Sequence, residues 1–119
     1  DMVLLKKFSL SLSSEVYELN SEKREKLHLA AVFANNFSNY MYKIADDLCC
    51  KYQIPFETLK PLIRETANKI LEMSPYDAQT GPARRNDQTV IQKQRDLLES
   101  ENKEIYALLS KAISSTYKK

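Results

Sequence analysis

The sequence predicts an all-α fold, a helical bundle around one long central helix, on three observations. Glycine occurs once, at Gly81. Pro55, Pro61, Pro75 and Pro82 are confined to the middle of the chain, so the strongest breakers leave long uninterrupted stretches on either side. Within those stretches apolar residues recur at helical spacing. With 119 residues, 43% hydrophobic and 29% charged, the chain suits one domain with a modest core.

The elements follow in order. "MVLLKKFSLSLSS" reads as a short amphipathic helix, and "EVYEL" at 15–19 alternates as a half-buried strand does. A lone strand needs a sheet to join, and nothing later in the chain supplies one. Residues 1–20 are therefore read either as the tail of a preceding sheet-containing domain or as an irregular arm packed on the helices, with residues 21–119 forming the helical domain. The first residue, Asp1, is not methionine, which fits a fragment or a processed product.

Asn20 and Ser21 are good caps for a helix running without Gly or Pro to about Gln53. At about 100° per residue, Phe33, Phe37, Tyr40, Met41, Ile44 and Leu48 gather on one side as the expected core face, while His28, Asn35, Asn39 and Asp46 align in a narrow polar sector. A second helix is expected from a Thr58 cap, with Pro61 in its first turn, to Met73, where Pro75 stops it. Asp87 or Asn86 caps a third carrying Val90, Ile91, Leu97 and Leu98, and Ser100 or Asn102 begins the last, through Ile113.

Charge and cysteine usage narrow the function classes. Lys and Arg exceed Asp and Glu by two, 18 against 16, and the signs are interspersed, so neither nucleic acid nor a membrane is an expected partner. The longest apolar stretch, "LHLAAVFA", is far shorter than the roughly 20 residues of a membrane span, and no secretory signal is present. Cys49 and Cys50 are adjacent and alone, which suits reduced thiols and a cytoplasmic protein. His28 is the only histidine and lies about 30 Å along the same helix from the cysteines, so no metal site and no Cys–His pair is expected.

Two stretches draw functional interest. "FANNFSNYM" places Asn35, Asn36 and Asn39 inside a helix, where their amides compete with the backbone. Either they face a ligand, together with His28, or they close a buried polar network onto a neighbouring loop. "QTGPARRND" combines a Gly–Pro turn with hydrogen-bonding Thr80 and Asp87 and the planar donors of Arg84 and Arg85. A turn followed by a helix cap explains much of it without any ligand.

Taken in order, "EKLHLAAVFANNFSNYM", "PLIRET" and "QTGPARRND" resemble the C-terminal domain of a family of uncharacterised Rossmann-like oxidoreductases, over about Leu4 to Tyr117. That family is similar in plan to 6-phosphogluconate dehydrogenase and pyrroline-5-carboxylate reductase: a dinucleotide-binding domain, then a helical domain that dimerises and closes over the nicotinamide. The resemblance implies a 6-phosphogluconate dehydrogenase C-terminal-domain-like fold, with residues 1–20 ending a Rossmann domain. It also implies that this chain is the substrate-binding and dimerisation domain of an NAD(P)-dependent oxidoreductase, inactive without the domain that holds most of the NAD or NADP. His28, Asn35, Asn36, Thr80, Gly81, Pro82, Arg85 and Asp87 match the family's motif positions. They, with Asn39, would line the cleft, His28 serving as candidate acid or base and Arg85 holding an anionic group on a small substrate. The lysine that stands one turn before an asparagine in 3-hydroxyisobutyrate dehydrogenase is replaced here by Ala31 and Val32, so that enzyme's acid chemistry does not carry over. The alternative is a non-catalytic helical dimerisation or protein-interaction module.

Overall fold

The computed structural model describes residues 20–118, and among them every regular element is helical. The helix and strand expected within residues 1–19 lie outside the described residues. Two compact units meet in sequence at Phe56 and Glu57.

The first unit contains the long helix. It comprises α1 (Ser21–Ala31), a π-helical segment (Val32–Phe37) and α2 (Ser38–Lys51), continuous in the chain. Asn20 caps it as expected, its Oδ1 accepting the Lys23 N–H at 2.9 Å. The end falls at Lys51 rather than Gln53 and is a Schellman closure made without glycine. Gln53 takes φ +58°, the Ile54 N–H donates to the Cys49 carbonyl at 2.8 Å, and the Gln53 N–H donates to that of Cys50 at 3.2 Å. On the exposed surface of α2 the Lys43 ammonium bonds Asp47 Oδ2 at 2.6 Å. This hydrogen bond, with the carboxylate's charge, raises the lysine's pKa above its ordinary value. The pair therefore stabilises the helix fully below the unfolded lysine's pKa and loses that contribution as pH rises through the folded one.

The expected core face of this helix is corrected by the structure. Phe33, Phe37 and Tyr40 are 63, 50 and 45% exposed, Met41, Ile44 and Leu48 are half-buried, and Cys49 is the buried residue. The assignment assumed 3.6 residues per turn throughout, and the π segment, which contains Phe33 and Phe37, breaks that register at the start of the set.

The second unit holds a 3₁₀ turn (Phe56–Leu59, its first residue at the junction), then α3 (Lys60–Glu72), α4 (Pro75–Ala78), α5 (Gln88–Asp96) and α6 (Ser100–Tyr117). Thr58 does not cap α3: it lies within the 3₁₀ turn, and Leu59 stands at the N-cap without a side-chain bond. Pro61 takes the expected first-turn place. The helix ends at Glu72, with extended Met73 as its C-cap, just ahead of Pro75 as expected, and Pro75 also opens α4, whose cap is Ser74, its hydroxyl accepting the Asp77 N–H at 3.2 Å. Asp87 caps α5 through the Val90 N–H at 3.2 Å. Helix α6 does start at Ser100, although its N-cap Glu99 makes no side-chain bond and Ser100 itself has φ +48°.

Pairs of helices pack in this unit, α3 with α4 and α5 with α6. Ala83 and Ile91, each 7% exposed, are its buried hydrophobic residues. Polar ties fix the C-terminal helix. Tyr106 donates to Gln94 Oε1 at 2.7 Å, Ser114 donates to the Ala83 carbonyl at 3.2 Å, and the Tyr117 hydroxyl donates to the Tyr76 carbonyl.

Candidate functional site

The two stretches singled out by sequence fall one in each unit. In the first, His28 lies in the last turn of α1, Asn35 and Asn36 lie in the π segment, and Asn39 lies in the first turn of α2. All four are exposed, so the asparagines do not form a buried network. A turn closed i to i+5 holds one residue more than an α turn, which rotates everything after it by about 100° relative to α-helical register. The narrow sector expected for His28, Asn35, Asn39 and Asp46 is therefore opened, with Asn39 and Asp46 turned away from His28.

Local chemistry accounts for the widened turn. Two consecutive asparagines weaken the helical ladder. The Ser38 hydroxyl donates to the Phe33 carbonyl at 3.4 Å, supplying a partner across five residues where the α ladder is interrupted. Phe33 and Phe37 hold the outer wall edge to face, with ring centroids 4.9 Å apart. Single-turn π segments of this kind are frequent at functional sites because they splay side chains that a regular helix would stack.

In the second unit, Gly81 has φ +108°, a conformation that residues with a Cβ rarely adopt. From there the chain makes one helical turn. The Arg85 N–H donates to the Gly81 carbonyl at 3.2 Å, that of Asn86 to Ala83 at 3.2 Å and that of Asp87 to Pro82 at 2.8 Å, with Asn86 left-handed at φ +56°. The closure buries Ala83 and leaves both arginines exposed. Pro82 is half-buried, and Asp87 is committed to capping α5. Arg85 makes no ion pair among the described residues.

Thr80 borders a cavity of about 200 Å³, with Thr66, Lys69, Ile70 and Gln79 among its walls. The Lys69 ammonium donates to the Ala78 carbonyl at 3.5 Å, and the Gln79 amide donates to the Thr80 carbonyl at 3.0 Å. Lys69 and Thr66 were missed in the sequence reading. The available signal was their separation by three residues on one amphipathic helix, which puts them on the same face. The Thr66 hydroxyl is committed to the Leu62 carbonyl at 2.9 Å, which leaves one ammonium, the Thr80 hydroxyl and an amide around this small space to orient a carboxylate or carbonyl. Among the described residues no group of three or more His, Cys, Asp and Glu could hold a metal ion, and no helix is long and apolar enough to cross a membrane.

No curated protein matches the chain. Among solved structures it is similar to a crystal structure titled a "putative NADP oxidoreductase" from Bacteroides fragilis, at 46% identity and a TM-score of 0.78. That similarity covers 82% of this chain but only 38% of the other, so the chain spans less than half the length of its structural relative. The match over residues 1–113 to the domain of unknown function DUF2520 is broader still, and it establishes that this chain, helical throughout its described elements, belongs to the DUF2520 family.

Proposed function

We propose that this chain is the substrate-binding and dimerisation domain of an NADP-dependent oxidoreductase. The observation that carries the reading is its similarity, at 46% identity, to the Bacteroides protein described as an NADP oxidoreductase. NADP supplies hydride transfer when bound. With Gly81 as its only glycine, the chain has no glycine-rich phosphate turn of its own, so the nucleotide would be held mainly by another domain. The chain's own task is then to position the substrate. Asn35 and Asn36, splayed by the π segment, offer amides to polar substrate groups, and His28 supplies an imidazole as candidate acid or base. The turn opened by Gly81 presents Arg85 for an anionic group and Thr80 beside Lys69.

The test is made in the complete oxidoreductase, following NADPH oxidation against a panel of small carboxylates and phosphates. Arg85→Ala is expected to weaken binding of the active compound by about 1.5–3 kcal/mol, roughly 10- to 100-fold, as for a hydrogen bond to a charged group. Because Arg85 is exposed, the melting temperature should stay unchanged. A lowered melting temperature with unaltered turnover would make the turn structural and sink the assignment.

A second reading, association alone, is favoured by one feature. Leu29, Phe33, Phe37 and Tyr40 are between 45 and 63% exposed along α1, the π segment and the start of α2. Exposed apolar rows of this size mark interfaces, and a second copy of the chain is the simplest occupant for a dimerisation domain. Phe33→Ser with Phe37→Ser should weaken self-association at least about tenfold in sedimentation equilibrium, since each buried aromatic contributes about 1.5–3 kcal/mol. A dimer that survives the double substitution would place the contact elsewhere. Activity abolished with the dimer alone intact would favour the catalytic reading, and dimerisation without any NADPH-linked turnover would favour the module.

A further inference from the structure

A second cavity, of about 470 Å³, lies between the Gly81–Asp87 turn and the C-terminal half of α6. Its volume falls in the range of small-molecule sites. Arg84, Lys111 and Lys118 line it, and among the described residues no acidic side chain does. None of the three cations forms an ion pair among the described residues. Three positive charges around one concavity, without an internal counter-charge, repel one another and attract an anion.

The cavity is also pre-organised. The Arg84 guanidinium lies over the Tyr117 ring, 4.1 Å from its centroid. This cation–π contact restrains the guanidinium, and no hydrogen bond or ion pair among the described residues engages its N–H groups, which suits bidentate recognition of phosphate oxygens. Tyr117 is itself fixed, its hydroxyl bonded to the Tyr76 carbonyl and its ring tilted 30° on the Tyr76 ring at 4.6 Å. In the same turn as Arg84, Asn86 accepts through Oδ1 from the Gln88 amide at 2.7 Å, so its own NH₂ group is left to donate, and the Ser115 hydroxyl on α6 adds a further donor. The described lining thus offers a planar fork, two ammonium groups and neutral donors, with no carboxylate side chain among its described residues.

We propose that this pocket binds the phosphate group of a small phosphorylated ligand, with Arg84 as the bidentate contact and Lys111 and Lys118 as charge partners. The site is separate from the cavity bordered by Thr80 and does not depend on the reading of that site. Its chemistry suits the extra phosphate of NADP as well as a free phosphorylated metabolite. Calorimetric titration of the full chain with inorganic pyrophosphate should show one saturable site. Arg84→Ala and Lys111→Ala should each weaken it at least about tenfold. Lys111 is exposed on α6, so its removal leaves folding intact and keeps the test valid should Arg84→Ala disturb the stack. Lys93→Ala, on α5 and outside the pocket lining, should leave affinity unchanged. Competition by NADP but not NAD would identify the cofactor's extra phosphate as the source, and competition by neither would identify a free phosphorylated ligand. Absence of saturable pyrophosphate binding, or equal binding in the parent and both pocket variants, would overturn the proposal.

Discussion

Deleting Asn36 is expected to abolish function while preserving the helix. The π segment at Val32–Phe37 holds one residue beyond α-helical need. Removing that residue lets the i to i+4 ladder run unbroken from α1 into α2, so helix content by circular dichroism should be unchanged and thermal stability unchanged or raised. The cost falls on geometry. Everything after the deletion turns by about 100° relative to α1, carrying Asn39 and Tyr40 to new azimuths and removing the splay of the asparagine pair. Active-site displacements of about 1 Å already cost about 100-fold in rate, so under the proposed function turnover of the complete protein should fall by at least that factor. The double substitution Asn35→Ala with Asn36→Ala separates the two contributions: it removes the amides while keeping the residue count. Turnover close to the parent level after the deletion would show that the widened turn is a consequence of poor helix propensity and has no functional part.

The same segment marks where sequence reasoning stopped. The length of the central helix, its Asn20 cap, the first-turn place of Pro61 and the Asp87 cap of α5 were legible, because each rests on a local rule about one residue type at one position. The all-helical class followed from the near absence of glycine and the confinement of proline. Register through residues 32–37 was not legible. A periodicity analysis assumes one rise and one rotation per residue, and a single wide turn invalidates both for every residue beyond it. Phe33, Phe37 and Tyr40 were accordingly assigned to the core, yet they stand exposed. Ser74 shows a second kind of miss: the stop ahead of Pro75 holds, but the pair Ser–Pro is also the cap and first position of a new helix. The pocket formed by Arg84, Lys111 and Lys118 was out of reach for a different reason. Arg84 stands more than twenty positions before the two lysines, and only the turn at Gly81 and the seating of α6 bring them to one cavity.

Gly81→Ala is expected to destabilise the protein through backbone strain alone. A Cβ placed on Gly81 meets nothing within 4 Å, so no clash opposes the substitution, and the whole cost comes from holding a residue with a side chain at φ +108°. Such strain costs about 1–3 kcal/mol, and each kcal/mol lowers the melting temperature by about 4–8 °C in a domain of 60–100 residues. Open space makes a sharp corollary: Gly81→Ser should cost about as much as Gly81→Ala, since the added hydroxyl has room. Asparagine, which tolerates the left-handed region near +57°, should recover little, because +108° lies well beyond that well. A loss that grew steeply from alanine to serine would indicate crowding and contradict the open surroundings, whereas no loss with alanine would mean the turn relaxes to an ordinary conformation. The strain has a second readout, because the Gly81 carbonyl accepts the Arg85 N–H and so closes the turn that carries Arg84 onto Tyr117. If the chain escapes strain by reopening that turn, pyrophosphate affinity falls along with stability. If it bears the strain with the turn intact, stability falls and affinity holds. The two measurements on one variant therefore distinguish a turn that merely connects α4 to α5 from one whose closure sets the position of Arg84.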